Sequence, residues 1–164
     1  MNKTLLLVGA LTALMAAPAS AESWLQLANS GEAVSYGDVD SVQMEGDTVS
    51  ARVMLGLRQP MGQRQDIEFL VSSVRISCAT NRYFVDNVSG LDGARDVVAQ
   101  LPGSREWKDV GEGTLQARFR DFACGKALAK PVADPFAATV EFWNGDTHGP
   151  GSGAIQLAGQ FDMG

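Results

Sequence analysis

The residues of this 164-residue chain that could do chemistry are few, and their spacing is poor for catalysis. Its single histidine, His148, lies in Gly145-Asp146-Thr147-His148-Gly149. With Asp146 it makes at most a weak metal or acid–base pair, and nothing is placed to orient it, so an exposed loop histidine without a role is expected. The carboxylate pairs Asp38/Asp40 and Asp92/Asp96 imitate glycosidase or calcium pairs. Asp38-Val39-Asp40-Ser41 lacks the remaining oxygen ligands of a calcium loop, and solvated turn acids are expected. Gly111-Glu112-Gly113 precedes a helical stretch as a phosphate loop would, but no Lys-Ser/Thr follows, so it reads as a helix-start turn. One histidine and two distant cysteines fall short of most protein-only zinc sites. No cofactor, no metal and no enzymatic activity are expected.

Charge narrows the partners further. Thirteen Lys and Arg against nineteen Asp and Glu give a net charge of −6. Nucleic acid or an anionic membrane surface needs a basic patch, and the arginines here are dispersed among acids. The first 21 residues read as a signal peptide: Lys3, an apolar run from Leu5 to Ala17, then small residues at Pro18-Ala19-Ser20-Ala21. Thirteen residues are short of the ~20 that span a bilayer. Cleavage after Ala21 predicts a periplasmic or secreted chain of charge −7 without a membrane span. In that oxidising setting Cys78 and Cys124 read as one disulfide, with free buried thiols or an intermolecular bond as the alternatives. Closing a loop of about 46 residues stabilises by about 4 kcal/mol in the chain-entropy account.

The elements that would position these groups are mostly strands. Trp24 to Ala28 is a short apolar run ending in the turn Asn29-Ser30-Gly31, with Ala33 to Tyr36 pairing back. Thr48 to Leu57 alternates cleanly, Val49, Ala51, Val53, Leu55 and Leu57 on one face. Gln59 to Gln65 reads as a polar loop. Ile67, Phe69 and Val71 share one phase and Val74, Ile76 and Cys78 the other, which predicts a bulge or bend at Ser72-Ser73. Arg82 to Val88 is a strand, Ser89 to Asp92 a turn, and Ala94 to Gln100 a further strand. Leu115, Phe119 and Phe122 recur at helical spacing, with Gly125 placed as the C-terminal cap. Residues 126–135 are Ala/Pro/Lys-rich and read as a linker. In 136–164, Ala138, Val140 and Phe142 alternate, as do Ile155, Leu157 and Phe161, so a C-terminal hairpin is expected, with a weakly ordered extension as the alternative.

Several of these marks stand in a recognisable order. Trp24 is followed by Tyr36-Gly37-Asp38-Val39-Asp40-Ser41-Val42, Ile76-Ser77-Cys78, Arg82-Tyr83, Trp107 and a short helix ending at Cys124. Over about residues 22–125 this resembles the surface-adhesin protein E family of Gram-negative envelopes. The resemblance implies an α+β fold, mainly an antiparallel sheet of about six strands, with one C-terminal helix tied on by the disulfide. It marks Trp24, Tyr36, Asp38, Ser41, Arg82, Tyr83 and Trp107 as family-motif positions with structural roles. Asp38 and Ser41 suit an Asx-type turn, and Trp24 and Trp107 suit core filling.

The resemblance also implies adhesin-like protein binding and homodimer formation. The expected function is an exported, non-catalytic binding module of the cell envelope, offering a sheet edge or the 89–110 segment to an unknown protein partner. The alternatives are a small periplasmic inhibitor of an enzyme such as lysozyme, or a carrier of haem or another apolar small ligand.

Overall fold

The computed structural model describes residues 23–145, apart from Arg64 and Leu128. The leader, Asp146, His148 and the expected strand with Ile155, Leu157 and Phe161 lie outside the described residues. Ten elements follow in order: β1 (Trp24–Asn29), β2 (Ala33–Glu45), β3 (Thr48–Met61), β4 (Ile67–Ser77), β5 (Arg82–Leu91), β6 (Val97–Pro102), β7 (Lys108–Asp109), α1 (Leu115–Ala123), β8 (Lys130–Val132) and α2 (Pro135–Gly145). The strands form one antiparallel sheet ordered β6-β5-β4-β3-β2-β1-β8, and β7 pairs with β5. Among the described residues there are eight strands against the expected six, because β7 and β8 are too short to carry an alternation signal.

Alternation on the central strand builds two cores. Val49, Ala51, Val53 and Leu55 join a cluster with Leu115, Phe119 and Phe122 of α1. Met54, pointing the other way, joins Trp24, Val34, Tyr36 and Phe69 in a second cluster, against which Phe136, Phe142 and Trp143 of α2 pack. The two helices therefore lie on opposite faces of the sheet. Each meets a glycine: a Cβ on Gly37 would strike the Phe122 ring, and one on Gly56 would strike Thr139. Bare backbone at these two sites lets each helix approach closely.

The ends of α1 follow from its sequence. Thr114 caps the N-terminus, its hydroxyl accepting from the Ala117 N–H at 3.2 Å. At the other end Gly125 takes φ +71°, the Gly125 N–H donates to the Phe122 carbonyl (3.1 Å), and the Lys126 N–H donates to that of Asp121 (2.6 Å). This is the paired-bond glycine cap that satisfies two otherwise unpartnered carbonyls. The Cys78–Cys124 disulfide, with Cα atoms 5.9 Å apart, pins this cap to the end of β4. Asn81 adds a second tie, its Oδ1 accepting from Arg120 and its Nδ2 donating to the Val110 carbonyl.

Several expectations need correction. The segment read as linker, 126–135, contains β8, whose Lys130, Pro131 and Val132 pair with Gln26, Leu25 and Trp24. The alternation of Ala138, Val140 and Phe142 belongs to a helix, not to the first strand of a hairpin. The overlooked signal is Asp134-Pro135: the Asp134 carboxylate accepts from the Phe136 and Ala137 N–H groups, and Pro135 opens the helix where its missing N–H costs nothing. The polar loop begins later than expected, since β3 runs through Pro60 to Met61. β5 runs through Ser89 to Leu91, and the turn falls at 92–96, before β6 starts at Val97. The bulge expected at Ser72-Ser73 is present in the ladder between β4 and β5, although β4 itself keeps register with β3 from Phe69 to Ser77. The extra residue sits opposite, in β5, where Ser73 pairs with Asn87 but Val74 with Val85. In β4 the α1 cluster takes Ile67, Leu70, Val74 and Ile76, whereas the α2 cluster takes only Phe69 and Val71, so apolar cover on the α2 side stops where Ser73 begins the polar stretch.

Candidate functional site

Helix α2 covers only part of its face, and polar residues take over where it ends. The transition lies at a wide irregularity between β2 and β3, where Asp38 pairs with Arg52 but the next matched pair is Gln43 with Ser50. Four residues, 39–42, therefore stand against Ala51 alone. Ser41 mends the broken ladder: its hydroxyl donates to the Asp38 carbonyl (2.7 Å) and accepts from the Arg52 N–H (2.7 Å). Asp38 closes the turn, its Oδ1 accepting from the Asp40 N–H at 3.1 Å. The Asx-type turn expected at Asp38 is present, and its side chain does more than turn the chain.

Asp38 is 2% exposed, so it is not a solvated turn acid. Its Oδ2 accepts from Arg52 Nε at 2.9 Å and Nη2 at 2.7 Å. The Arg52 guanidinium lies 5.3 Å from the centre of the Trp24 ring, which is itself buried. Burying a carboxylate is costly unless a cation and hydrogen bonds replace the lost water, and Arg52 with the Asp40 amide supplies both. Asp40 is tied in separately, accepting from the Ser23 N–H at 3.0 Å. These groups, with Ser41, Gln43, Ser50, Ala51 and Ser73, line an open cleft of about 640 Å³.

A second charged group stands beside the cleft on the same face. Arg75, paired with Ser50 across the ladder, donates from Nε to Asp86 (3.0 Å) and from Nη1 to Glu45 (3.3 Å). The hydrogen bond and charge of Asp86, then the charge of Glu45, push the Arg75 pKa further above its ordinary value. Asp86 is the extra residue of the β5 bulge and also faces Arg105 at 3.8 Å. Arg75 lies over Phe84, which meets Trp107 edge-on with ring centres 4.7 Å apart. Trp107 is thus only part-buried, against Phe84, and does not join either core cluster as expected.

The other motif positions hold the frame. Arg82 donates to the Trp107 carbonyl (2.7 Å) and faces Asp109 (3.4 Å), tying β7 to β5. Tyr83 packs against the α1 cluster, and burial raises its pKa despite a hydrogen bond with Gln116. Tyr36 is fully buried, with its hydroxyl 3.3 Å from that of Thr139, which also donates to the Pro135 carbonyl at 2.8 Å. Burial raises the Tyr36 pKa as well. Sequence reasoning missed Arg52, Arg75 and Asp86. Arg52 and Arg75 carried a readable signal, each being a charge on the polar phase of an alternating strand.

Around the cleft Arg52, Arg75 and Arg105 each meet a carboxylate, so the surface presents alternating charges and hydroxyls rather than a field of one sign. Among the described residues no group of three histidine, cysteine or acidic side chains could hold a metal ion. No helix of the described residues is long and apolar enough to cross a membrane. The arrangement suits recognition by hydrogen bonds and paired charges. No curated protein and no solved structure matches the chain at a significant level. Residues 24–125, from the first residue of β1 to the glycine cap of α1, match the profile described as surface-adhesin protein E, and the chain belongs to that family.

Proposed function

We propose that the chain is an exported, non-catalytic binding module of the bacterial envelope that holds a protein partner on the half of the sheet left open by α2. The observation that carries this reading is the cleft around Asp38, Ser50, Arg52 and Ser73, inside the family-matched residues and beside the Arg75–Asp86 pair. A mixed array of charge pairs and hydroxyls complements the polar surface of a folded protein better than it does an anion or an apolar ligand. The leader is taken to be cleaved after Ala21, delivering residues 22–164 to the periplasm or the surface, which N-terminal sequencing of the exported product tests.

Binding of residues 22–164 to a panel of extracellular-matrix and plasma proteins, measured by surface plasmon resonance, tests the function. Ser50→Trp and Ser73→Arg fill the cleft without removing a core contact. They are expected to abolish binding while leaving the melting temperature within a few degrees of the parent. Binding that survives both variants refutes the assignment to this face, and absence of saturable binding across the panel refutes the adhesin-like reading.

A further inference from the structure

We propose that the face built by Trp24, Tyr36, Met54, Gly56 and Phe69 is a helix-binding groove which α2 occupies in cis, and that its external ligand is an amphipathic helix of a protein partner with the spacing of α2. This goes beyond the binding reading above and stands without it. The groove residues all lie within the family-matched 24–125, whereas the helix that fills it lies wholly outside. The seat and its occupant are therefore separable parts of the chain.

The fit of α2 defines what the groove accepts. Phe136 meets Phe69 edge-on at 4.9 Å, Thr139 sits over Gly56 and reaches Tyr36, and Phe142 and Trp143 complete the row. The pattern is an aromatic residue at i, a small one at i+3 and aromatics at i+6 and i+7, the anchor spacing of helix-in-groove recognition. Thr139 must be small because no side chain separates it from the β3 backbone.

The hold on α2 is also of a kind that can be released. Helix α1 is joined to the sheet by a disulfide; α2 is held by side-chain contacts and by its short link to β8. Arg95 is the main clasp, its Nη2 2.8 Å from Asp134 Oδ2 and its guanidinium 4.6 Å from the Phe136 ring centre. Arg95 does this from φ +71°, a left-handed conformation unfavourable for a non-glycine residue. At the far end the Trp143 Nε1 is buried with no hydrogen-bond partner among the described residues. An eleven-residue helix released into water has little stability of its own, so an incoming helix competes with an unfolded segment.

The test uses residues 22–164 and a fluorescein-labelled peptide of residues 134–145, followed by fluorescence polarisation. Thr139→Arg in the protein cannot seat over Gly56, so it frees the groove. It is expected to bind the parent peptide at least about tenfold more tightly than the parent protein does, because the fraction of open groove sets the apparent affinity. The peptide carrying Thr139→Arg should not bind, nor should either peptide bind a Gly56→Leu protein. A folded Thr139→Arg protein that shows no saturable binding overturns the proposal. If that variant does not fold, hydrogen exchange on the parent protein decides: α2 amides must open at lower free energy than those of β3 and β4, and exchange of α2 only with global unfolding also overturns it.

Discussion

Replacing Arg52 with methionine tests whether the family-motif aspartate acts as a structural anchor. The methionine keeps apolar stem contacts beside Trp24 but leaves the Asp38 carboxylate without its cation. Breaking a fully buried pair costs about 3–5 kcal/mol; exposed pairs contribute only about 0–1 kcal/mol. Asp38 is buried, but the Arg52 side chain is 39% exposed, so solvent screens part of the interaction. The expected loss is between these limits, about 2–3 kcal/mol. For a domain of this size it lowers the melting temperature by about 5–10 °C. Urea titration followed by circular dichroism measures the loss directly, as a lower midpoint at unchanged slope. The companion Asp38→Asn keeps an oxygen for the Asp40 amide while removing the charge. In the double variant Arg52→Met/Asp38→Asn the uncompensated buried charge is gone, so it should be more stable than Arg52→Met alone. An Arg52→Met protein within about 0.5 kcal/mol of the parent, or a strictly additive double variant, would refute the assignment of Asp38 as a buried, cation-dependent anchor.

Two further outcomes follow from the same structure. Cys78→Ser/Cys124→Ser reopens a loop of 46 residues and should destabilise by about 4 kcal/mol, read as a large fall in melting temperature relative to the oxidised parent and matched by reducing the parent; equal melting temperatures would show that the bond does not stabilise the fold. Burial raises the Asp134 pKa, but the Arg95 hydrogen bond and charge with the Ala137 and Phe136 amides lower it more, below 3.8. A depressed carboxyl stabilises the fold above its unfolded value, and the contribution is lost as pH falls through the folded value. Acid titration below pH 3.8 should therefore speed hydrogen exchange in α2 before it affects β3; simultaneous loss would contradict this.

The elements readable in advance were those whose local pattern and final environment agree. β3 alternates because one face meets α1 along most of its length, and α1 announces itself by Leu115, Phe119 and Phe122 with Gly125 beyond. The pairing of Cys78 with Cys124 followed from compartment and count. What escaped was decided by long-range contacts. Nothing local distinguishes Lys130–Val132 from a linker until β1 is present to pair with it. Ala138, Val140 and Phe142 mimic a strand, and only the Asp134-Pro135 cap signals the helix. The open face is half legible: Asp38 and Ser41 stand out in the motif, and the polar phase of β3 and β4 places Arg52 and Arg75 on one face, but neither pattern names the carboxylate each arginine meets across the sheet.

The pairing of β1 with β8 also bears on how the chain is made. Of the described strands β1 is the first to emerge during synthesis and its outer partner the last, with Trp24 waiting for Val132. Until then β1 offers the uncharged run Trp24-Leu25-Gln26-Leu27-Ala28-Asn29 along an open sheet edge, a template for aggregation. The strand that covers it presents Lys130 and Pro131 in its place, a charge and a residue without an N–H, both of which discourage further strand addition. A chain cut at the family boundary, after Gly125, would keep α1 and the disulfide yet leave that edge exposed. It is therefore expected to be the more aggregation-prone form, which makes the short C-terminal strand a safeguard of solubility as well as a support for α2.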